Sequence, residues 1–184
     1  MARVPLHSLP GAQTHEMRGA GIEVRPLTRD DIGWATEVLE RHLGGRHQAR
    51  RGEVIDVLEG DGLVAWRGER RVGLLTSRPD GPGRVELAAL LAVDPGSGVG
   101  SALVAELVEQ ARAGGAHEIR VTTTNDNLTA LAFYQRRGFR LVELRAGAVD
   151  DARRTVKPSI AEIADNGLPI RDELELSLGL ADAG

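Results

Sequence analysis

A chain of 184 residues, 41% of them hydrophobic but only 3% aromatic, is long enough to bury one sizeable core and must fill it mostly with Leu, Val and Ala. Its formal charge of −4 argues against general nucleic-acid binding, which depends on a basic face, and suits a cationic substrate. With no cysteine there is no disulfide, thiolate metal site or cysteine nucleophile, and with no run approaching a membrane span or a secretory segment the expected setting is cytoplasmic.

Met1 to Gly21 mixes Pro, Gly, His and Arg without a period and is expected to be a disordered leader, with Met17 a second candidate start. Residues 22–184 read as a single domain, with no internal repeat and no linker. Ile22 to Pro26 alternates as a strand. Thr28 suits the N-cap of a helix running to Leu43, with Asp30 and Asp31 in the first turn, where the helix dipole favours acids, and Gly44-Gly45 at its end. Arg46 to Leu58 fits a short helix or an edge segment equally well. Gly60-Asp61-Gly62 opens a hairpin with strands Leu63–Arg67 and Arg71–Ser77, and a second turn at Pro79–Gly83 leads to a long strand from Arg84 to Val93.

That strand ends at Asp94-Pro95 and a glycine-rich turn, Gly96-Ser97-Gly98-Val99-Gly100. Leu103, Val104, Leu107, Val108 and Ala111 then recur at helical spacing up to Gly114-Gly115. Strand, glycine turn and helix in this order aim backbone N–H groups at an anion, because the first N–H groups of a helix lack intrahelical partners and the dipole favours negative charge there. Such a turn, taken alone, serves packing as often as binding. Glu118 to Thr123 is the next strand, and the intervening helix makes it parallel to Arg84–Val93. Asn127 to Arg137 reads as a helix stopped by Gly138, followed by a strand from Phe139 to Arg145. Val149 to Lys157 reads as a short helix ended by Pro158, Ser159 to Ile170 as a loop, and Asp172 to Leu178 as a strand with Leu174, Leu176 and Leu178 on one face. The sum is a mixed α/β sheet, antiparallel first and parallel in the middle, flanked by helices.

The glycine turn and the later segment Asn-x-x-Ala-x-x-Phe-Tyr-x-x-x-Gly-Phe, matched by Asn127, Ala130, Phe133, Tyr134, Gly138 and Phe139, together resemble the GNAT superfamily of acetyl-CoA-dependent N-acetyltransferases. The likeness spans Ile22 to Leu178. It implies a central parallel pair that splays, with the backbone of Leu91, Ala92 and Val93 pairing with pantetheine. It also implies that Gly96, Ser97, Gly98, Val99, Gly100 and Ser101 cradle the pyrophosphate, that Asn127 holds the cofactor, and that Arg46–Leu58 helps to wall the acceptor side. Acetyl-CoA is then the co-substrate and no metal is needed; the five histidines (His7, His15, His42, His47, His117) show no metal-like pairing. The chain departs from the pattern at Pro95, where Arg or Gln is usual, and its loop is about three residues short. Backbone donors, not a basic side chain of the loop, must then carry the phosphates.

Acetyl transfer to an amine needs a docked thioester, a donor for the developing oxyanion, a base for the amine and an acid for the departing thiolate. Tyr134 matches the tyrosine that the superfamily often uses as acid, although it also reads as a core aromatic beside Phe133. Asn127 serves equally as an N-cap. Glu86, on the long strand, is the candidate base acting through water, and reads otherwise as a solvated outward residue. Asp30, Asp31, Glu53 and Asp56 are candidates for an acceptor mouth, and most of them read otherwise as ordinary surface charge. Two functions follow: an N-acetyltransferase acting on a primary amine of a small molecule or peptide, or a non-catalytic acyl-CoA-binding or regulatory module of the same fold. Neither calls for a nucleic acid or a membrane, and a homodimer is left open.

Overall fold

Alternation along single strands gives the sheet of this protein two apolar faces. In the computed structural model, which describes residues 16–17 and 21–180, Leu63 and Ala65 enter one buried cluster and Val64, between them, enters another on the opposite face. The strands in chain order are β1 (Glu16–Met17), β2 (Ile22–Pro26), β3 (His47–Arg50), β4 (Glu53–Asp56), β5 (Asp61–Arg67), β6 (Arg70–Pro79), β7 (Arg84–Ala92), β8 (Glu118–Thr124), β9 (Arg140–Arg145) and β10 (Glu173–Gly179). The helices are α1 (Ile32–Leu43), α2 (Val99–Ala113), α3 (Leu128–Gln135) and α4 (Ala148–Thr155). Eight strands form one sheet in the order β1-β2-β5-β6-β7-β8-β10-β9. Each neighbouring pair is antiparallel except β7 and β8, which are parallel because α2 crosses over between them.

On one face α2 contributes Ala102, Leu103, Val104, Leu107 and Ala111 to a cluster shared with α3, and on the other α1 contributes Ala35, Val38 and Leu39. The start of α1 is fixed locally: the Asp31 carboxylate accepts from the backbone N–H and hydroxyl of Thr28 at 2.9 and 2.7 Å, around one turn of 3-10 helix at Arg29–Asp31. Gly44, at φ 67°, ends the helix in the left-handed region.

The segment 46–58, ambiguous from its sequence, folds as a β3–β4 hairpin apart from the main sheet. It turns on Arg51 and Gly52, both at positive φ (51° and 78°), the backbone pattern of a tight two-residue turn. Ile55 and Val57 join the α1 cluster, which seats the hairpin on that face. The last strand departs most from a reading in chain order. β10 inserts between β8 and β9, so its leucine face meets the helical cluster through Leu176, while Glu173 and Glu175 face the hairpin side. The expectation for the leader falls outside the described residues, apart from Glu16 and Met17, which pair with Glu23 and Ile22. Among the described residues no helix is long and apolar enough to cross a membrane.

Candidate active site

The pairing of β6 with β7 shifts between Thr76 and Ser77: Thr76 faces Ala89 and Ser77 faces Leu87, so Ala88 is an extra residue in β7. A bulge of this kind bends its strand. The parallel pairing of β7 with β8 runs from Arg84↔Glu118 to Leu87↔Val121 and stops there. The bulge thus lies where the two central strands part. The gap between Leu87–Leu90 and Val121–Thr124 is a cleft of about 230 Å³. Asn127, Ala130 and Tyr134 line it from the α3 side, Gln48, Ala49 and Arg50 from the hairpin, and Glu173 from the start of β10.

Parting the strands releases backbone donors. Val93 N–H is spent on Val72 C=O at 2.9 Å. Alternation along an antiparallel pair turns Leu91 the same way, toward β6, and turns the peptide groups of Leu90 and Ala92 toward the gap. Of the three residues expected to offer their backbones to pantetheine, Ala92 therefore faces the opening, and Leu91 and Val93 do not.

The glycine turn behaves as a helix start. Gly98, at φ 83°, is the N-cap of α2, and the helical ladder begins with Ala102 N–H to Gly98 C=O at 3.1 Å. The N–H groups of Val99, Gly100 and Ser101 consequently have no acceptor within the helix. The Val99 side chain is buried over Gly73, where a Cβ would stand 2.3 Å from it, and Ser97 closes the turn by donating to Asp94 C=O at 2.5 Å. A Cβ on Gly100 would lie 3.0 Å from the Phe133 ring, so this glycine lets α3 approach α2 closely. Arg137, just past α3, lies 3.4 Å from the Phe133 ring centroid and donates to the Ser101 hydroxyl. A guanidinium from outside the loop thus stands at the first turn of α2, whereas the loop itself has Pro95.

Tyr134 is both core and cleft residue. It is 6% exposed, lies edge-on to Phe133 with ring centroids 5.3 Å apart, and is tilted against Phe139 at 5.4 Å. Burial pushes its phenol up to about 12, opposed by the nearby cations Arg50 and Arg137. Asn127 caps α3, its side-chain oxygen accepting from Ala130 N–H at 3.1 Å, while lining the cleft.

Glu86 is neither solvated nor open. It is fully buried, with one carboxylate oxygen 3.2 Å from Arg50 Nη1 and the other 2.7 Å from Arg78 Nε. Two guanidiniums on one carboxylate make it an anchor for Arg50, whose other nitrogen reaches the Ala88 carbonyl of the bulge at 2.5 Å. That wiring corrects the reading of Glu86 as a solvated outward residue, and it engages both oxygens of the carboxylate expected to act as base. The expected mouth acids also lie elsewhere: Asp31 caps its helix and pairs with Arg71 at 2.8 Å, Asp56 holds Arg46, and Asp30 and Glu53 are exposed. Arg50, Arg137 and Glu173 were not apparent from the sequence. The alternation of β10 set Glu173 opposite the leucines, but nothing local showed which strand it would lie beside.

A sheet that parts at its central parallel pair, beside a glycine-started helix and a buried phenol, is the architecture of an acyltransferase. The sequence profile of the acetyltransferase (GNAT) family matches residues 32–139, more than half of the chain, and the protein belongs to that family. YdhI of Bacillus subtilis (strain 168), described as uncharacterized, is 36% identical over 144 residues, covering 77% of this chain and 88% of the relative. Among solved structures, an IAA acetyltransferase from Bacillus cereus ATCC 14579 superposes with a TM-score of 0.67 at 23% identity, covering 86% of this chain and 99% of that one. A GNAT family acetyltransferase from Elizabethkingia anophelis with acetyl-CoA bound gives 0.67 at 18% identity, covering 88% and 100%. At these identities the structural likeness speaks for the fold.

Proposed function

We propose that the protein transfers an acetyl group from acetyl-CoA to a primary amine of a small molecule or peptide, in the cytoplasm. The observation that carries this reading is the position of Tyr134, a buried phenol on the wall of the cleft where β7 and β8 part. The chain's groups suit the co-substrate. The first N–H groups of α2 and the Arg137 guanidinium would hold the pyrophosphate, and the peptide edge at Ala92 the pantetheine arm. Leu90, whose peptide also faces the gap, would donate to the developing oxyanion. Bound there, the thioester supplies an activated acetyl group.

With its pKa near 12, the phenol stays protonated at neutral pH and is available as a donor. A thiol holds its proton near pH 8.5, so full donation from so weak an acid is uphill by several kcal/mol, about 1.4 per unit. Tyr134 must therefore recover a proton from the attacking nitrogen as it releases one to sulfur, acting as a relay.

The observation favouring a non-catalytic binder is Pro95 in the phosphate loop, and Arg137, just past α3, would supply the charge that the loop lacks. The test is a panel of primary alkylamines, polyamines, aminoglycosides and peptides with acetyl-CoA, read by thiol release. Silence across the panel, with acetyl-CoA still bound, would favour the binding module.

A further inference from the structure

Among the described residues three strand carboxylates are buried on the hairpin side of the sheet, Glu86 on β7 and Glu173 and Glu175 on β10, and their partners differ. Glu86 carries Arg50 and Arg78, one on each oxygen. Glu175 accepts from Arg120 at 2.8 Å on one oxygen and from Arg145 on the other. Glu173, 3% exposed, receives a single backbone N–H, that of Arg51, shared between its oxygens at 3.1 and 3.2 Å, and its ion-pair partner Arg145 stands back at 3.7 Å. An ionised carboxylate offers about four acceptor positions, and a buried charge is costly unless paired. Of the three, Glu173 alone lines the cleft.

A second group points the same way. Cross-strand pairing sets Glu173 against Thr124 and Glu175 against Thr122, on one face of the sheet. Thr122 also lines the cleft, is 7% exposed, and its hydroxyl has no hydrogen-bond partner among the described residues. A buried carboxylate with spare acceptor positions and an unpartnered buried hydroxyl therefore converge on the side of the cleft away from α3. A group bringing several N–H donors and a positive charge would satisfy both, and an alkylammonium is such a group.

We infer that Glu173 is the acceptor-side carboxylate, holding the incoming alkylammonium and taking its proton, with Thr122 as a second acceptor. The inference rests on the amine reading above. Glu173 removes one proton from the ammonium and later passes it to solvent. The freed nitrogen lone pair forms the C–N bond to the acetyl carbon. The C–S bond then breaks with its electron pair on sulfur, Tyr134 protonates the sulfur, and the phenol recovers the nitrogen's second proton. The products are the N-alkyl acetamide, free thiol and one proton. The acceptor class is thus a free alkylammonium entering from the hairpin side.

The test compares wild type, Glu173→Gln and Glu175→Gln with two acceptors, propylamine and trifluoroethylamine, the second largely neutral at neutral pH. In Glu173→Gln, kcat/KM for propylamine should fall by about 10²- to 10⁴-fold, the range of general base catalysis. For trifluoroethylamine the loss should be less than about tenfold, and calorimetric acetyl-CoA affinity should hold. Glu175→Gln, as buried but away from the cleft, should show no such difference between amines. If the amide variant fails to fold, Glu173→Asp, which keeps the charge, takes its place, and its loss should again be larger for propylamine. Equal losses for both amines, or none, would overturn the inference alone. A wild-type protein that acetylates no amine would sink the amine reading and this inference together.

Discussion

Arg50 on the hairpin and Glu86 on the central strand form an ion pair across 36 positions of the chain, 3.2 Å from nitrogen to oxygen, with Glu86 fully buried. The same arginine binds the Ala88 carbonyl at the bulge. One side chain therefore fixes the hairpin wall of the cleft to the point where the sheet opens.

Glu86→Ala should accordingly act on stability. It leaves Arg50 and Arg78 beside an unfilled, uncharged space, and breaking a buried pair from one side costs about 3–5 kcal/mol. Denaturant unfolding should show that loss. A variant of unchanged stability whose turnover collapses would instead restore Glu86 as the base.

Tyr134→Phe keeps the packing against Phe133 and Phe139 and removes only the proton. Turnover with the best amine of the panel should fall by about 10²- to 10⁴-fold, with acetyl-CoA affinity nearly unchanged. A rate within a few-fold of wild type would take Tyr134 out of the mechanism.

The same phenol makes a forecast for alkaline pH. Its pKa is raised by burial from 10.0 unfolded to about 12 folded, so the protonated form is favoured by folding. The resulting stability is fully present below pH 10.0 and is lost as the pH climbs toward 12. Melting temperatures across that window should decline less steeply for Tyr134→Phe than for wild type. Parallel declines would mean that the phenol titrates normally.

Binding of acetyl-CoA should depend on Arg137 and Gly98 together. Arg137→Ala removes the cation beside Ser101 and should weaken affinity about tenfold, equivalent to about 1.4 kcal/mol. Gly98→Val forces a β-branched residue to φ 83°, a strain of about 1–2 kcal/mol, although its Cβ would meet nothing nearer than Ile22 at 3.9 Å. The variant should therefore fold and yet lose acetyl-CoA affinity by more than the strain alone explains. Unchanged calorimetric affinity in both variants would reduce the turn to a packing device.

Local chemistry made much of this protein legible in advance. Thr28 with Asp31, the glycines at 96, 98 and 100, Asn127 before α3 and the leucines of β10 each act through neighbours within a few positions, so their spacing alone determined helix starts, the glycine turn and the buried faces. The parallel relation of β7 and β8 followed from the crossover helix. The tertiary structure alone decided which distant charges would meet. Glu86 became an anchor because a hairpin arginine reached it, Arg137 came to α2 because Gly100 let α3 approach, and Glu173 reached the cleft because β10 slid between β8 and β9. Strand order and hairpin placement depend on contacts between segments far apart in the chain, and no local period encodes the partner of a buried charge.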